Sequence, residues 1–168
     1  MQKINSLDEI FLEEVKDLYS AEKQLTKALP KVAKKATSPE LKSAIEEHLQ
    51  QTEGHVNRLE EVFKMLGKPA KAKPCPAMKG ILEEANDVLS QRANPAVLDA
   101  AIIGAAQKVE HYEIASYGTI VQWAKQMGRD DIKNLLGQTL DEEEKTDQKL
   151  TGLAKTAINA SALRPDGE

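Results

Sequence analysis

The sequence predicts an all-α fold, a bundle of four long helices arranged as two antiparallel hairpins. Apolar residues recur every three or four positions through four long segments, which is the period of an amphipathic helix. The connections within each pair of segments are short, and only the connection between the pairs is long. A short connection between two long helices makes them antiparallel neighbours. We predict a single domain over residues 1–168, without strands.

Composition and charge exclude several functional classes. A chain of 168 residues with 40% hydrophobic residues can bury one compact core. Its formal net charge of −4 argues against a nucleic-acid partner, which usually requires a basic face. No apolar run reaches the roughly 18 residues of a membrane span, and the N-terminal residues have no signal core. Cys75 is the only cysteine, so we predict a cytoplasmic protein without an intrachain disulfide.

The first helix is predicted at residues 6–36, with Ser6 and Glu9 as a capping box. Glu22 is the one polar member of its apolar stripe. Turning Glu22 towards solvent would expose the apolar positions on both sides of it. Pro30 should kink this helix, because proline removes a backbone donor and crowds the preceding turn.

The second helix is predicted at residues 39–66, with Ser38 as its cap and Pro39 at the first helical position. His48 and His55 border its apolar stripe. Three prolines make residues 67–79 a long non-helical crossover. The remaining predictions are a short extra helix at residues 80–92, long helices at residues 95–127 and 130–158, and a frayed tail from about Asn159.

The two predicted hairpins are related by a constant offset of 91 residues. At this offset Glu22 falls on Glu113, and apolar positions coincide as well, as in the pair Leu41 and Ile132. The buried acids therefore match along with the apolar stripe. Two similar helical hairpins joined by a long crossover have the connectivity of ferritin-like bundles.

The inward acids suggest a metal site. Four-helix carboxylate sites use one Glu from each of two helices and a Glu-x-x-His pair from each of the other two. Glu22 and Glu113 occupy the single positions. Each of the two pairs keeps only one of its expected ligands. The second helix has Thr52 in place of the glutamate, followed by His55. The fourth helix has Glu143, followed by Thr146 in place of the histidine.

Further acids lie one turn from these positions, namely Glu110 and Asp147. His48 is two turns from His55, about 10 Å along a helix, so we expect it to lie outside the site. An oxygen-rich set with at most one imidazole suits iron, manganese or magnesium better than structural zinc. We therefore predict iron or manganese, bound by Glu22, Glu110, Glu113, Glu143, Asp147 and His55.

A metal-free polar layer is the alternative. In that case the tyrosines, His55 or a core lysine would satisfy the buried acids, and the layer would fix the register of the helices. Glu142 and Glu144 are predicted to be solvated helix acids. No nucleophile arrangement or phosphate-binding loop is present in the sequence, so catalytic residues stay unassigned.

Three segments carry a resemblance to a known family: residues 19–29, residues 105–119, and the acidic run at residues 142–147. With these segments the chain resembles the YciF branch of the YciE/YciF bacterial stress-protein family. The resemblance implies a ferritin-like fold, a homodimer, and a dinuclear metal centre that uses Glu22, Glu110, Glu113 and Glu143. This chain differs from the family pattern at position 51, where it has Gln51 and relatives carry an acid.

Two functional hypotheses follow. The first is a stress-associated protein with a mono- or dinuclear iron or manganese centre and a role linked to oxidants. The second is a non-catalytic, stress-induced interaction protein whose polar core is structural. Under the first hypothesis, replacing the acids Glu22, Glu113 and Glu143 by glutamine would abolish metal binding. Under the second hypothesis the protein binds no metal, so the replacement would not change metal binding.

Overall fold

A computed structural model describes residues 4–163, and it confirms the all-α prediction. Every regular element in this range is helical. The predicted frayed tail falls partly on residues 164–168, outside the described range. The elements are α1 (Leu7–Lys35), α2 (Pro39–Met65), α3 (Pro76–Leu89), α4 (Pro95–Gln126), α5 (Asp130–Leu153), a π-helical turn (Ala154–Ile158) and α6 (Asn159–Leu163).

The four long helices form the predicted bundle of two hairpins. α1 packs on α2 and α4 packs on α5, while α2 contacts α5 and α1 contacts α4, which closes the bundle. The crossover between the hairpins passes α1, where the Lys73 amide donates to the Lys16 carbonyl oxygen. The short helix α3 then lies against α1 and α4.

Local sequence signals explain where the long helices begin and end. The Ser6 hydroxyl accepts a hydrogen bond from the Glu9 amide, as the capping box predicts. α2 and α4 end at Gly67 (φ 64°) and Gly128 (φ 69°), because this left-handed conformation closes a Schellman cap at little cost for glycine. α1 continues helically through Pro30, and the predicted kink there stays a prediction.

The predicted bounds of the extra helix, residues 80–92, are wrong at both ends. α3 starts at Pro76, because proline fits the first helical position and the Cys75 thiol caps the helix by accepting from the Met78 amide. The helix ends at Leu89, and the Ser90 hydroxyl bonds back to the Asn86 carbonyl oxygen. The predicted crossover, residues 67–79, is shorter by the first turn of this helix.

The end of the last long helix also differs from the prediction. Helical structure continues past residue 158 through α6, where a frayed tail was expected. In the preceding π-helical turn, hydrogen bonds join residues five apart rather than four. The side chains that follow therefore point in a different direction than they would in a continuous α-helix. Ile158 ends this turn buried in the core, 5% exposed, and α6 packs on α4.

The core consists of two hydrophobic clusters with a polar layer between them. One cluster includes Leu29, Leu41 and Leu150, and the other includes Phe63 and Ile132. On each long helix, buried polar side chains occupy the positions between the two clusters. The bundle therefore holds its buried charges at one level, between the two clusters.

A buried acid that the sequence did not identify secures the first hairpin. Asp99 of α4 is 3% exposed. Its carboxylate accepts from the Thr37 amide (2.8 Å), the Thr37 hydroxyl (2.6 Å) and the Ser38 amide (2.8 Å). It ties the turn between α1 and α2 to the second hairpin.

We expect Asp99→Ala to lower the free energy of unfolding by about 2–3 kcal/mol, because hydrogen bonds to a charged group are the strong ones and the Thr37 and Ser38 amides lose their acceptor. The measurement is urea denaturation followed by circular dichroism. Asp141→Ala, at an exposed position of α5, is the control. Equal stability of the two variants would contradict the role assigned to Asp99.

Candidate metal centre

Six ionisable side chains meet in the polar layer, and each is at most 4% exposed. Every long helix contributes at least one of them. Residues three or seven apart on a helix share a face, which explains why α2 and α4 each contribute two. The six are Glu22 of α1, His48 and His55 of α2, Glu110 and Glu113 of α4, and Glu143 of α5.

The ligand atoms fall into two groups, within each of which they lie within 4.8 Å of one another. The first group is His48, Glu110, Glu113 and Glu143. The second group is Glu22, His55 and Glu143. Glu143 belongs to both, so the two groups are adjacent and share one carboxylate.

Distances in the second group match those of ligands around one ion. His55 Nδ1 lies 2.9 Å from Glu143 Oε1 and 3.4 Å from Glu22 Oε1. Two ligands bound at about 2.0–2.1 Å, at octahedral or tetrahedral angles, are roughly 2.9–3.4 Å apart. The first group is looser, with His48 Nε2 at 3.3 Å from Glu110 Oε1 and His48 Nδ1 at 4.0 Å from Glu143 Oε2.

In the described part of the protein, nine buried polar atoms of these six side chains make no hydrogen bond of good geometry. Two of them, His55 Nδ1 and Glu143 Oε1, are nevertheless 2.9 Å apart and form an ion pair when His55 is protonated. Both carboxylate oxygens of Glu113 and both ring nitrogens of His48 are among them. Unpaired buried polar groups are costly and rare in native proteins. Coordination of a cation would engage the carboxylates and one nitrogen of each histidine, so the residues fit a metal.

Burial and repulsion between the acids disturb their ionisation. Burial, followed by repulsion from Glu143, raises the pKa values of Glu110 and Glu113 well above the usual range. Burial lowers the pKa of His48. For His55, Glu143 and Glu22 outweigh the opposing effect of burial and raise its pKa to about 10. Without a cation, the layer reduces its charge by keeping protons on some carboxyls.

Of the three tyrosines proposed to satisfy the acids, only Tyr117 hydrogen-bonds to one of them. Its hydroxyl donates to Glu22 Oε1 at 2.5 Å. Tyr19 donates to Glu60 instead, and Tyr112 donates to Asp17. The tyrosines therefore satisfy one oxygen and leave most of the layer unpaired.

Outside the layer, Glu142 orients the His55 ring. Its Oε2 atom lies 2.9 Å from His55 Nε2, and the Arg58 guanidinium holds its two oxygens at 2.7 and 2.8 Å. Because a carboxylate only accepts, Nε2 carries a hydrogen, and Nδ1, which faces Glu143, is the nitrogen that would bind a metal after losing its own proton. This is the carboxylate–histidine arrangement that supports metal-binding histidines. The prediction that Glu142 is a solvated acid is wrong.

Glu142→Gln is expected to lower metal affinity by roughly 10–100-fold, the usual cost of losing a partner that orients a ligand. A competitive chelator titration measures the change. Glu144→Gln is the matched control, because Glu144 is the exposed acid two residues further on. Equal affinities in the two variants would rule out an orienting role for Glu142.

The structure brings together five of the six predicted ligands: Glu22, Glu110, Glu113, Glu143 and His55. It places Asp147 elsewhere, where Gln107 donates to Asp147 Oδ1 at 2.9 Å and His111 Nε2 approaches at 3.3 Å. The expectation that His48 lies outside the layer is wrong. His48 and His55 are seven residues apart and share a face of α2, and this spacing was the available signal.

The two threonines that stand in place of expected ligands make hydrogen bonds of their own. Thr52 and Thr146 are both buried. Their hydroxyls donate to the carbonyl oxygens of His48 and Glu142 in the preceding turn. Gln51 lies beside Thr146, with 3.3 Å between Oε1 and the hydroxyl.

Two hairpins, a long crossover and a buried layer of carboxylates and imidazoles define a ferritin-like four-helix bundle. A family model described as a domain of unknown function, DUF892, matches residues 6–163. The chain belongs to this family. It is 44% identical to the protein YciF of Escherichia coli K12 over 160 residues, which are 95% of this chain and 96% of YciF.

Solved structures agree with this assignment. The crystal structure of the E. coli stress protein YciF matches with a TM-score of 0.89 and 44% identity, covering 93% of this chain and 99% of that one. YcfI of Rhodopseudomonas palustris, described as a candidate structural protein, matches with a TM-score of 0.87 and 42% identity over 89% and 96%. A Xanthomonas campestris protein, 21% identical with a TM-score of 0.78 over 97% and 100%, shows the fold alone.

In the part of the chain that the structure describes, no helix is both long and apolar enough to cross a membrane.

Proposed function

We propose that this protein binds one or two iron or manganese ions in the polar layer and takes part in the response to oxidants. The observation that carries the proposal is the set of nine buried polar atoms, on six side chains, that make no hydrogen bond of good geometry in the described part of the protein. The similarity to the E. coli stress protein YciF supports the association with stress.

The chain's own residues would do three things at such a centre. His48, Glu110 and Glu113 would hold one ion, Glu22 and His55 would hold the other, and Glu143 would contribute to both groups. Tyr117 would fix the Glu22 carboxylate by its hydrogen bond to Oε1. Iron or manganese would supply redox chemistry, and the surrounding apolar clusters would keep bulk water away.

Metal analysis of untagged protein, purified without chelator, tests the proposal. Elemental mass spectrometry should find one to two ions of iron or manganese per chain. An anaerobic titration with Fe(II) should then saturate at the same number. A protein that retains no metal and shows no saturable uptake of either ion would refute the proposal.

A second candidate is a structural or interaction protein with a metal-free polar layer. The description of the R. palustris relative as a candidate structural protein favours it. The same metal analysis separates the two candidates, because this one expects no saturable uptake.

We also propose that the protein is a cytoplasmic homodimer. The buried free thiol of Cys75 is compatible with a reducing compartment. Light scattering coupled to gel filtration tests the dimer: the expected mass is twice the chain mass of 18.5 kDa.

A further inference from the structure

A small cavity, partly open at its rim, borders the first ligand group. Its volume is about 40 Å³, and His48 and Glu110 are among the residues that line it. Helices α1 to α5 all contribute to its walls, including Ala85 and Leu89 of α3. Most of the lining is aliphatic, with Leu29, Ala44, Ile45, Ile102, Val109 and Leu150 as the main residues.

The walls offer little to a polar guest. Besides His48 and Glu110, Thr146 is the one polar residue among those lining the cavity. Its hydroxyl is already engaged, because it donates to the Glu142 carbonyl oxygen at 3.0 Å. A buried water needs two to four polar partners, and here the accessible walls are apolar, because the polar atoms of His48, Glu110 and Thr146 are not exposed to the cavity. A polar molecule would therefore give up most of its hydrogen bonds on entering, whereas an apolar molecule has none to lose.

The size of the cavity limits the guest further. Its 40 Å³ is about three times the roughly 10–15 Å³ of cavity volume that one water molecule needs. It is well below the roughly 150 Å³ of an engineered apolar cavity that admits benzene. The guest must consist of a few heavy atoms, so a diatomic molecule fits and an aromatic ring does not.

We propose that this cavity binds a small apolar molecule of the size of dioxygen, directly beside His48 and Glu110. Naming that molecule as a reactant of the metal centre rests on the proposed function. The binding site itself does not, because its aliphatic walls are formed by the protein alone. Hydrogen peroxide, which is polar, is disfavoured as a guest.

Xenon is the probe for the site, used on the complete, metal-free chain. Methyl NMR signals of Leu29, Ile102 and Val109 should shift with xenon pressure and saturate. Ala44→Leu should abolish the shift by filling the cavity with its larger side chain. Ala33→Leu is the matched control: Ala33 is 6% exposed and Ala44 is 5% exposed, but Ala33 does not line the cavity.

If Ala44→Leu does not fold, Ala44→Val should reduce the shift instead. An absence of saturable shifts, or equal shifts in both Ala44 variants and the Ala33 control, would overturn the proposal. Dissolved dioxygen under pressure then identifies the guest, since it is paramagnetic. Selective relaxation of the same methyl groups supports dioxygen, and relaxation spread evenly over the core contradicts it.

This design separates the two proposals. The xenon experiment uses no metal, so a protein that fails to bind iron can still bind xenon in the cavity. Conversely, a protein that binds iron normally but shows no xenon site refutes the cavity proposal alone.

Discussion

Glu143→Gln is expected to remove all metal from the protein, whereas Glu22→Gln and Glu110→Gln should each leave one ion per chain. The reason is geometric: Glu143 belongs to both ligand groups, Glu22 only to the second and Glu110 only to the first. Glutamine preserves the shape of the side chain and removes its charge. Elemental mass spectrometry after loading with Fe(II) measures the stoichiometry.

Glu144→Gln is the control for these variants, because it removes an exposed charge from the same helix. It should bind as the unmodified chain does. Circular dichroism of each variant checks that the bundle has formed. Full metal occupancy of Glu143→Gln would contradict a shared ligand, and identical losses in all three variants would contradict two distinct groups.

The metal-free protein is expected to lose stability between pH 7 and 8.5. The raised pKa of His55, about 10, means that the native state keeps a proton that the unfolded chain releases above about 6.5. This proton stabilises the native state fully at pH values below the pKa of His55 in the unfolded chain. The stabilisation is lost as the pH rises towards the pKa of His55 in the native state. Glu110 and Glu113, whose pKa values are also raised, act in the same direction.

One such proton changes the free energy of unfolding by about 1.4 kcal/mol per pH unit. The midpoint of thermal unfolding should therefore fall by roughly 4–8 °C over this range, given 2–4 °C per kcal/mol for a chain of this size. Calorimetry at several pH values, in the presence of chelator, measures it. Glu143→Gln should flatten the slope, because it removes a carboxylate that raises the pKa of His55. A midpoint that stays level or rises in the unmodified chain would refute the expectation.

With Fe(II) or Mn(II) bound, the pH dependence should weaken or reverse. A cation requires deprotonated carboxyls and a neutral imidazole, so its affinity rises with pH. Metal-dependent stabilisation should consequently be larger at pH 8.5 than at pH 7.

Helical periodicity was sufficient to predict the four long helices and the inward-facing acids. Glu22 and Glu113 interrupt their stripes with a charge, and the offset of 91 residues matches one with the other between the two hairpins. This reasoning depends on residue spacing alone, which is why it located five of the six residues in the layer. It could not predict which way a side chain on the edge of a stripe turns.

The wrong predictions concern residues whose position depends on neighbours in space. His48 borders its stripe, whereas Asp147 was expected to face inwards, and only the packing of the helices turns His48 inwards and pairs Asp147 with Gln107. Glu142 looks like a surface acid until Arg58 and His55 approach from α2. The start of α3 depends on an unusual cap, the thiol of Cys75, which propensity rules do not anticipate.

Neither ligand group lies within one hairpin. The first takes His48 from the N-terminal half and its three carboxylates from the C-terminal half, while the second adds Glu143 to Glu22 and His55. During synthesis, a growing chain therefore lacks a complete site until residue 143 has left the ribosome and the second hairpin has docked. Under the proposed function, loading follows translation, and a bound ion clamps the two halves together without any covalent cross-link.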